Sequence, residues 1–309
     1  MSEAPSVRSL SEYSLWEARP SHGRRSQGAR PRVNTSSDNH HATPVDSVTA
    51  SPGTDSGEAA WRRYEELRPD ELAELIQRSP VAFWPLGLIE HHGWHLPVGY
   101  DGLKAGHLCE RIATRTGGVI LPVMWWGAGG GHDRFLWTHY QDPAATAAVL
   151  TTTAKQLMRF GFRALIFVAG HYPWQGMLDE HLPAVQSEFS DRLLLWGTEI
   201  SLGGDAVRLA GDHAALEETS YGLALFPHLV SQEALCEGRD DSAWPDGKPP
   251  EESRHPGVCF DPANPLFAQM GEDARSASAE RVAPGLSLLV DHVASRVTDF
   301  LSTGEAASP

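Results

Sequence analysis

From Val81 to Trp196 the chain alternates short apolar runs with longer amphipathic ones, and this rhythm constrains the fold more than any other feature. Residues 81–89, 119–124, Ala164–Ala169 and 193–196 are apolar stretches of strand length. Between them lie helix-length segments. Asp101 stands as a candidate N-cap before a stripe of Leu103, His107, Leu108 and Ile112 that stops at Gly117-Gly118. Pro143–Phe160 carries Leu150, Ala154, Leu157 and Met158 on one face and ends at Gly161, while residues 178–189 read as a helix interrupted by Pro183. A further helix, capped by Asp70, should carry Leu72, Leu75 and Ile76, and residues 278–301 should close the domain as a helix. Strand and helix in strict alternation predict a three-layer αβα domain around a mostly parallel central sheet.

That domain is expected over residues 59–304. Residues 1–58 are rich in Ser, Arg, His, Pro and Gly without helical or strand periodicity, so they read as a disordered leader, and residues 305–309 as a short disordered tail. Residues 240–265, heavy in Pro, Asp, Glu and Gly, read as a surface excursion or lid. The net charge of −15 argues against a nucleic-acid partner, which needs a basic face. No run approaches the roughly 20 apolar residues that cross a bilayer, so no membrane role is expected. Cys109, Cys236 and Cys259 are odd in number and lack CxxC spacing, which points to a reducing cytoplasm and away from disulfides or thiolate-bound zinc.

Chemistry concentrates in Glu90-His91-His92-Gly93-Trp94-His95-Leu96-Pro97, which leaves the C-terminal end of the first long strand. Alternation along a strand lets Glu90 and His92 point together into the crevice at the sheet edge, where open α/β sheets bind ligands, and turns His91 away. Carboxylate and imidazole without thiolate suit zinc, manganese or iron. Asp101 is either a carboxylate bridging two ions or only a helix cap. His171, ending the strand Val168-Ala169-Gly170-His171, is either a further ligand or structural. In Asp212-His213-Ala214-Ala215-Leu216-Glu217-Glu218-Thr219-Ser220 only some of the acids can face a common site. The glycine-rich stretch from Gly127 to His132 lacks the Gly-Lys-Ser/Thr ending of a phosphate loop and reads as a flexible active-site loop. Trp125, Trp126, Trp137 and Trp174 stand near these motifs, each either a pocket wall or a core residue.

Together these pieces resemble the creatininase family of metal-dependent amidohydrolases: Glu90-x-His92-Gly93-x-x-Leu96-Pro97, Asp101 eleven residues beyond the glutamate, Gly170-His171, and His213 with Glu218-Thr219-Ser220. The resemblance spans residues 61–301. It implies that Glu90, His92, Asp101, His171 and Glu218 hold two divalent ions per chain, zinc first with manganese or iron as alternatives, and that Asp101 bridges them. It further implies His213 as the proton-transfer or substrate-binding residue and a homo-oligomer, commonly a hexamer. The implied reaction is hydrolysis of an amide or cyclic amide C–N bond other than a peptide bond in a small molecule, with ring opening of a cyclic ketone or lactone, or a catalytically silent metal-binding subunit, as alternatives. His132, Tyr172 and Trp174, beside these motifs, are candidate substrate contacts. Two departures stand out. Pro173 replaces an acidic residue of creatininase itself and cannot ligate a metal, and Phe135-Leu136-Trp137-Thr138 replaces the family's Phe-Pro-Gly-Thr, which together point to a remodelled pocket and away from creatinine.

Overall fold

The computed structural model describes residues 61–130, 132, 134–239, 244 and 257–305. Five parallel strands form its sheet: β1 (Trp61–Arg63), β2 (Val81–Leu86), β3 (Gly118–Ile120), β4 (Ala164–Ala169) and β5 (Leu193–Thr198), in the order β1-β3-β2-β4-β5. The long central pair β2 and β4 is buried at every position. Alternate residues serve opposite faces: Val81, Phe83, Ile166 and Val168 join one core, and Ala82, Trp84, Phe167 and Ala169 the other. A strand covered by helices on both sides needs apolar residues at every position, which is why these runs read as continuous rather than alternating.

The first core is closed by α2 (Tyr100–Thr116), α5 (Leu216–Leu225) and α6 (Ala279–Glu305), the second by α1 (Pro69–Arg78), α3 (Pro143–Phe160) and α4 (Trp174–Glu188). This is the expected three-layer αβα arrangement. Helix α3 follows its sequence signals closely: the Asp142 carboxylate accepts from the Ala145 amide, Pro143 opens the first turn, and Gly161 ends the helix at a φ of 110°.

Several boundaries differ. Helix α1 is capped at Arg68, with Asp70 inside its first turn, because Pro69 suits the first helical position and Glu71 reaches back to the Arg68 amide. The first long strand stops at Leu86, short of Ile89, and β3 stops at Ile120, beyond which Met124 pairs only as an isolated bridge to Leu86. Helix α4 begins four residues before its expected start and passes through Pro183. Helix α6 continues to Glu305, within the segment expected as tail. The three-residue edge strand β1 left no periodic signal. The leader, and most of the excursion at 240–265, lie outside the described residues. Of that excursion Trp244 and Phe260 are described, and they pack with Phe135 and Phe267 in a separate aromatic cluster. No described helix is long and apolar enough to cross a membrane.

Candidate metal centre

The site forms at the C-terminal edge of the sheet, where the chain leaves β2 and β4 and enters α2. Two glycines let these segments touch. A Cβ on Gly87 would lie 2.4 Å from the Gly102 Cα, and one on Gly170 would lie 1.9 Å from the Asp101 carbonyl oxygen. With no side chain at either position, the first turn of α2 seats directly against both strand ends and carries Asp101 between Glu90 and His171. Gly99 is the residue before the helix and Asp101 is 1% exposed within it, so Asp101 does not serve as the cap that its position suggested.

Its carboxylate divides. Oδ1 lies 3.1 Å from Nε2 of His92, and Oδ2 lies 3.3 Å from Nδ1 of His171. Around Oδ2 stand Asp101, His171 and Glu90, whose Oε2 is 3.1 Å from the same His171 nitrogen. Around Oδ1 stand Asp101, His92 and Glu218, whose Oε2 is 3.6 Å from His92 Nε2. The structure therefore brings Glu90, His92, Asp101, His171 and Glu218 together as two triads with ligand spacing that share one carboxylate.

Each imidazole is oriented by a backbone carbonyl. Nδ1 of His92 pairs with the Glu90 oxygen at 3.0 Å, Nε2 of His171 with that of Gly129 at 2.7 Å, and Nε2 of His213 with that of His91 at 3.2 Å. A carbonyl only accepts, so each of these nitrogens carries its hydrogen, and the other ring nitrogen of His92 and His171 is aimed at carboxylates. Glu90 Oε2, His92 Nε2 and Asp101 Oδ2 are buried without a hydrogen-bond partner among the described residues. Buried polar atoms are rarely left so, and a donor set of carboxylates and imidazole lone pairs fits a divalent cation.

Electrostatics agree. Burial opposes the charge on His92 and His171, yet Asp101, Glu218 and Glu90 lift His92 to about 9, and Glu90 and Asp101 lift His171 to about 10. Burial opposes ionisation of Asp101 too, but His92 and His171 hold it well below the usual carboxylate range. Sites that bind a proton this strongly are sites of deep negative potential.

The third sequence cluster sorts itself. Helix α5 begins at Leu216, so His213 lies ahead of it, pinned by paired backbone hydrogen bonds with Met270, each 2.9 Å. Asp212 is spent capping the helix, accepting from the amides of Glu217 and Glu218, and Glu217 pairs outward with Arg281. Only Glu218 faces inward. His213 lies beside the ligands, within range of Glu90 and His92, and burial pushes its pKa well down. The His132 ring stacks on His213 at 3.9 Å, its Nδ1 3.5 Å from Glu90 Oε1.

Two expected substrate contacts have their polar atoms engaged within the protein. Trp174 is 1% exposed in the second core and gives its indole N–H to the Gly87 carbonyl. Tyr172 donates its hydroxyl to Glu199 at 2.6 Å. His91 points away from both triads, as expected, into an aromatic box of Trp94, Phe135 and Phe267. Sequence reading missed Tyr140, which donates to Glu90 Oε1 at 2.8 Å, and the buried pair Lys104 and Glu199. A lysine inside the apolar stripe of α2 was the signal available for the latter.

The family model for creatinine amidohydrolase matches residues 65–297. The chain belongs to the creatininase family. Among creatininase relatives it is 26% identical to the creatinine amidohydrolase of Pseudomonas putida over 59% of this chain and 75% of that protein. It is 30% identical to the mycofactocin precursor peptide peptidase of Mycobacterium ulcerans over 56% of this chain and 69% of that one. Both relatives are hydrolases. A mutant creatininase of Zn–Zn type superposes with a TM-score of 0.59 at 22% identity, covering 79% of this chain and 98% of that one, which establishes the creatininase fold here.

Proposed function

We propose that this protein is a dinuclear metal-dependent hydrolase that cleaves an amide or cyclic amide C–N bond, other than a peptide bond, in a small molecule. The observation that carries the reading is the division of Asp101, one oxygen to each of two buried triads. Glu90, Asp101 and His171 would hold one ion, and His92, Asp101 and Glu218 the other. Zinc is the first candidate, in keeping with the zinc-bearing relative, and manganese or iron suit the same donors. Bound there, the ions would lower the pKa of a water toward neutrality and polarise the attacked carbonyl.

The chain's own residues supply the rest. With its Nε2–H given to the His91 carbonyl, His213 presents the lone pair of Nδ1, which would take a proton from the attacking water and pass it to the departing nitrogen. His132, its Nε2 paired with the Ala268 carbonyl, holds the His213 ring by stacking and is the remaining candidate to touch substrate. Tyr140 orients Glu90. Pro173, with no side-chain donor or acceptor, favours a substrate other than creatinine. We extend the proposal to a cytoplasmic homo-oligomer, a hexamer by family resemblance, which light scattering would measure.

The test is turnover by zinc- or manganese-loaded protein on a panel of amides, cyclic amides, lactones and cyclic ketones, scored by released amine or acid. Amide turnover abolished by chelation and restored by metal is the expected result. Turnover of lactones or cyclic ketones alone would assign the same centre to another bond. A fully loaded protein silent across the panel would be a metal-binding subunit.

A further inference from the structure

Lys104 follows Asp101 by one helical turn on α2 and is completely buried. Its ammonium donates to Glu199 Oε1 and to Glu218 Oε1, both at 2.8 Å. The rings of Tyr172, Tyr100 and Tyr221 surround it, with centroids at 4.7, 5.4 and 5.8 Å. Glu199 is in turn held by the Tyr172 hydroxyl, and the Tyr100 hydroxyl donates to the Glu218 carbonyl. Burial opposes the charge on Lys104, but Glu199 and Glu218 override it and raise its pKa above the ordinary lysine value.

This network divides the two oxygens of Glu218. Oε1 is taken by Lys104, and Oε2 accepts the Ala214 amide at 2.9 Å and faces His92. We propose that Lys104 is a positioning residue of the metal centre, clamping Oε1 of Glu218 so that Oε2 alone is offered to the His92 and Asp101 triad.

Two physical arguments support the clamp. A buried ion pair is a poor way to fill space, since apolar residues of similar volume pack there at no desolvation cost, so packing alone does not account for Lys104, whereas its bond to one oxygen of Glu218 does. In addition, Lys104 and Glu199 carry opposite charges and together leave the net charge of the centre unchanged; what they add is orientation. Helix α2 thus supplies both the carboxylate shared by the triads and, one turn on, the grip on the ligand that arrives from α5.

The inference rests on the two-ion reading above, and the experiment separates the two. Zinc titration of the metal-freed protein, with elemental analysis, is run on the wild type, on Glu199→Gln, and on the charge-neutral double variant Lys104→Met with Glu199→Gln. Cobalt absorption spectra, taken after substitution for zinc, report each site's ligand geometry. We expect two tight ions in the wild type and in Glu199→Gln, which keeps the bond from Lys104 to Glu218. In the double variant one ion should bind as before and the other about 10–100-fold more weakly, with an altered cobalt spectrum at that site alone. A purely structural lysine would lower the melting temperature and leave both affinities and both spectra in place. A folded double variant that holds two ions at or above wild-type affinity overturns the clamp. If the double variant does not fold, loss of the second ion from Glu199→Gln overturns it instead. Fewer than two ions in the wild type overturns the two-ion reading itself.

Discussion

A Cβ placed on Gly170 would lie 1.9 Å from the carbonyl oxygen of Asp101. The end of β4 and the first turn of α2 are therefore in backbone contact, and this contact sets the distance between His171 and the carboxylate that both triads share. Main chain cannot swing aside as a long side chain can, so the site's geometry depends on the absence of one methyl group.

Gly170→Ala should accordingly destabilise the fold by about 1–3 kcal/mol or more, as overpacking of a filled interior does. Its metal content should fall with it, because α2 must move away from β4. Urea unfolding with elemental analysis measures both. An alanine variant as stable and as fully loaded as the wild type would contradict the close approach.

Replacement of the shared carboxylate should be felt at both ions. Asp101→Ala is expected to lose both, whereas His171→Ala and Glu218→Ala should each retain one. Elemental analysis per chain distinguishes the three patterns. Two ions remaining in Asp101→Ala would remove Asp101 from the bridging position.

His213→Ala should keep both ions and lose roughly 10²–10⁴-fold in turnover, the usual worth of a positioned acid or base. The ring stands within ligand range of Glu90 and His92, so metal content is the decisive companion measurement. Loss of an ion would make His213 a ligand. A fall in melting temperature with unchanged rate would leave it a purely structural residue.

Trp137 occupies the glycine position of the replaced Phe-Pro-Gly-Thr signature, with a φ of 73° and 64% of its surface exposed. Left-handed backbone costs a residue with a Cβ about 1–2 kcal/mol, and little burial offsets that here. Trp137→Gly is expected to stabilise the protein by up to about 1 kcal/mol once the entropy of the added glycine is deducted. Thermal denaturation tests it. An unchanged or lower stability would mean that the indole makes contacts worth more than the strain.

The layer architecture was legible in the sequence because β2 and β4 are buried on both faces, so every residue from Val81 to Leu86 and from Ala164 to Ala169 had to be apolar. The same holds for α3, whose Asp142, Pro143 and Gly161 act on their own local backbone. The motif around Glu90, with Asp101, His171 and Glu218, marked the ligand candidates, and His213 the proton-transfer candidate, by residue type and by family resemblance. What the sequence left open were the choices that depend on neighbours distant along the chain. Whether Asp101 caps a helix or joins two triads turns on its contact with Gly170, sixty-nine positions on. Which acid near His213 faces inward was decided by Asp212 capping α5 and by Arg281 drawing Glu217 outward. Tyr172 and Trp174 sit beside His171 in sequence, yet Glu199 and the Gly87 carbonyl claim their polar atoms. Local propensity and pattern are short-range physics, written residue by residue. Ligand orientation is long-range physics: a buried hydrogen-bonding group takes whichever partner the closed fold brings within reach, and for Lys104 that partner is a glutamate 114 residues away.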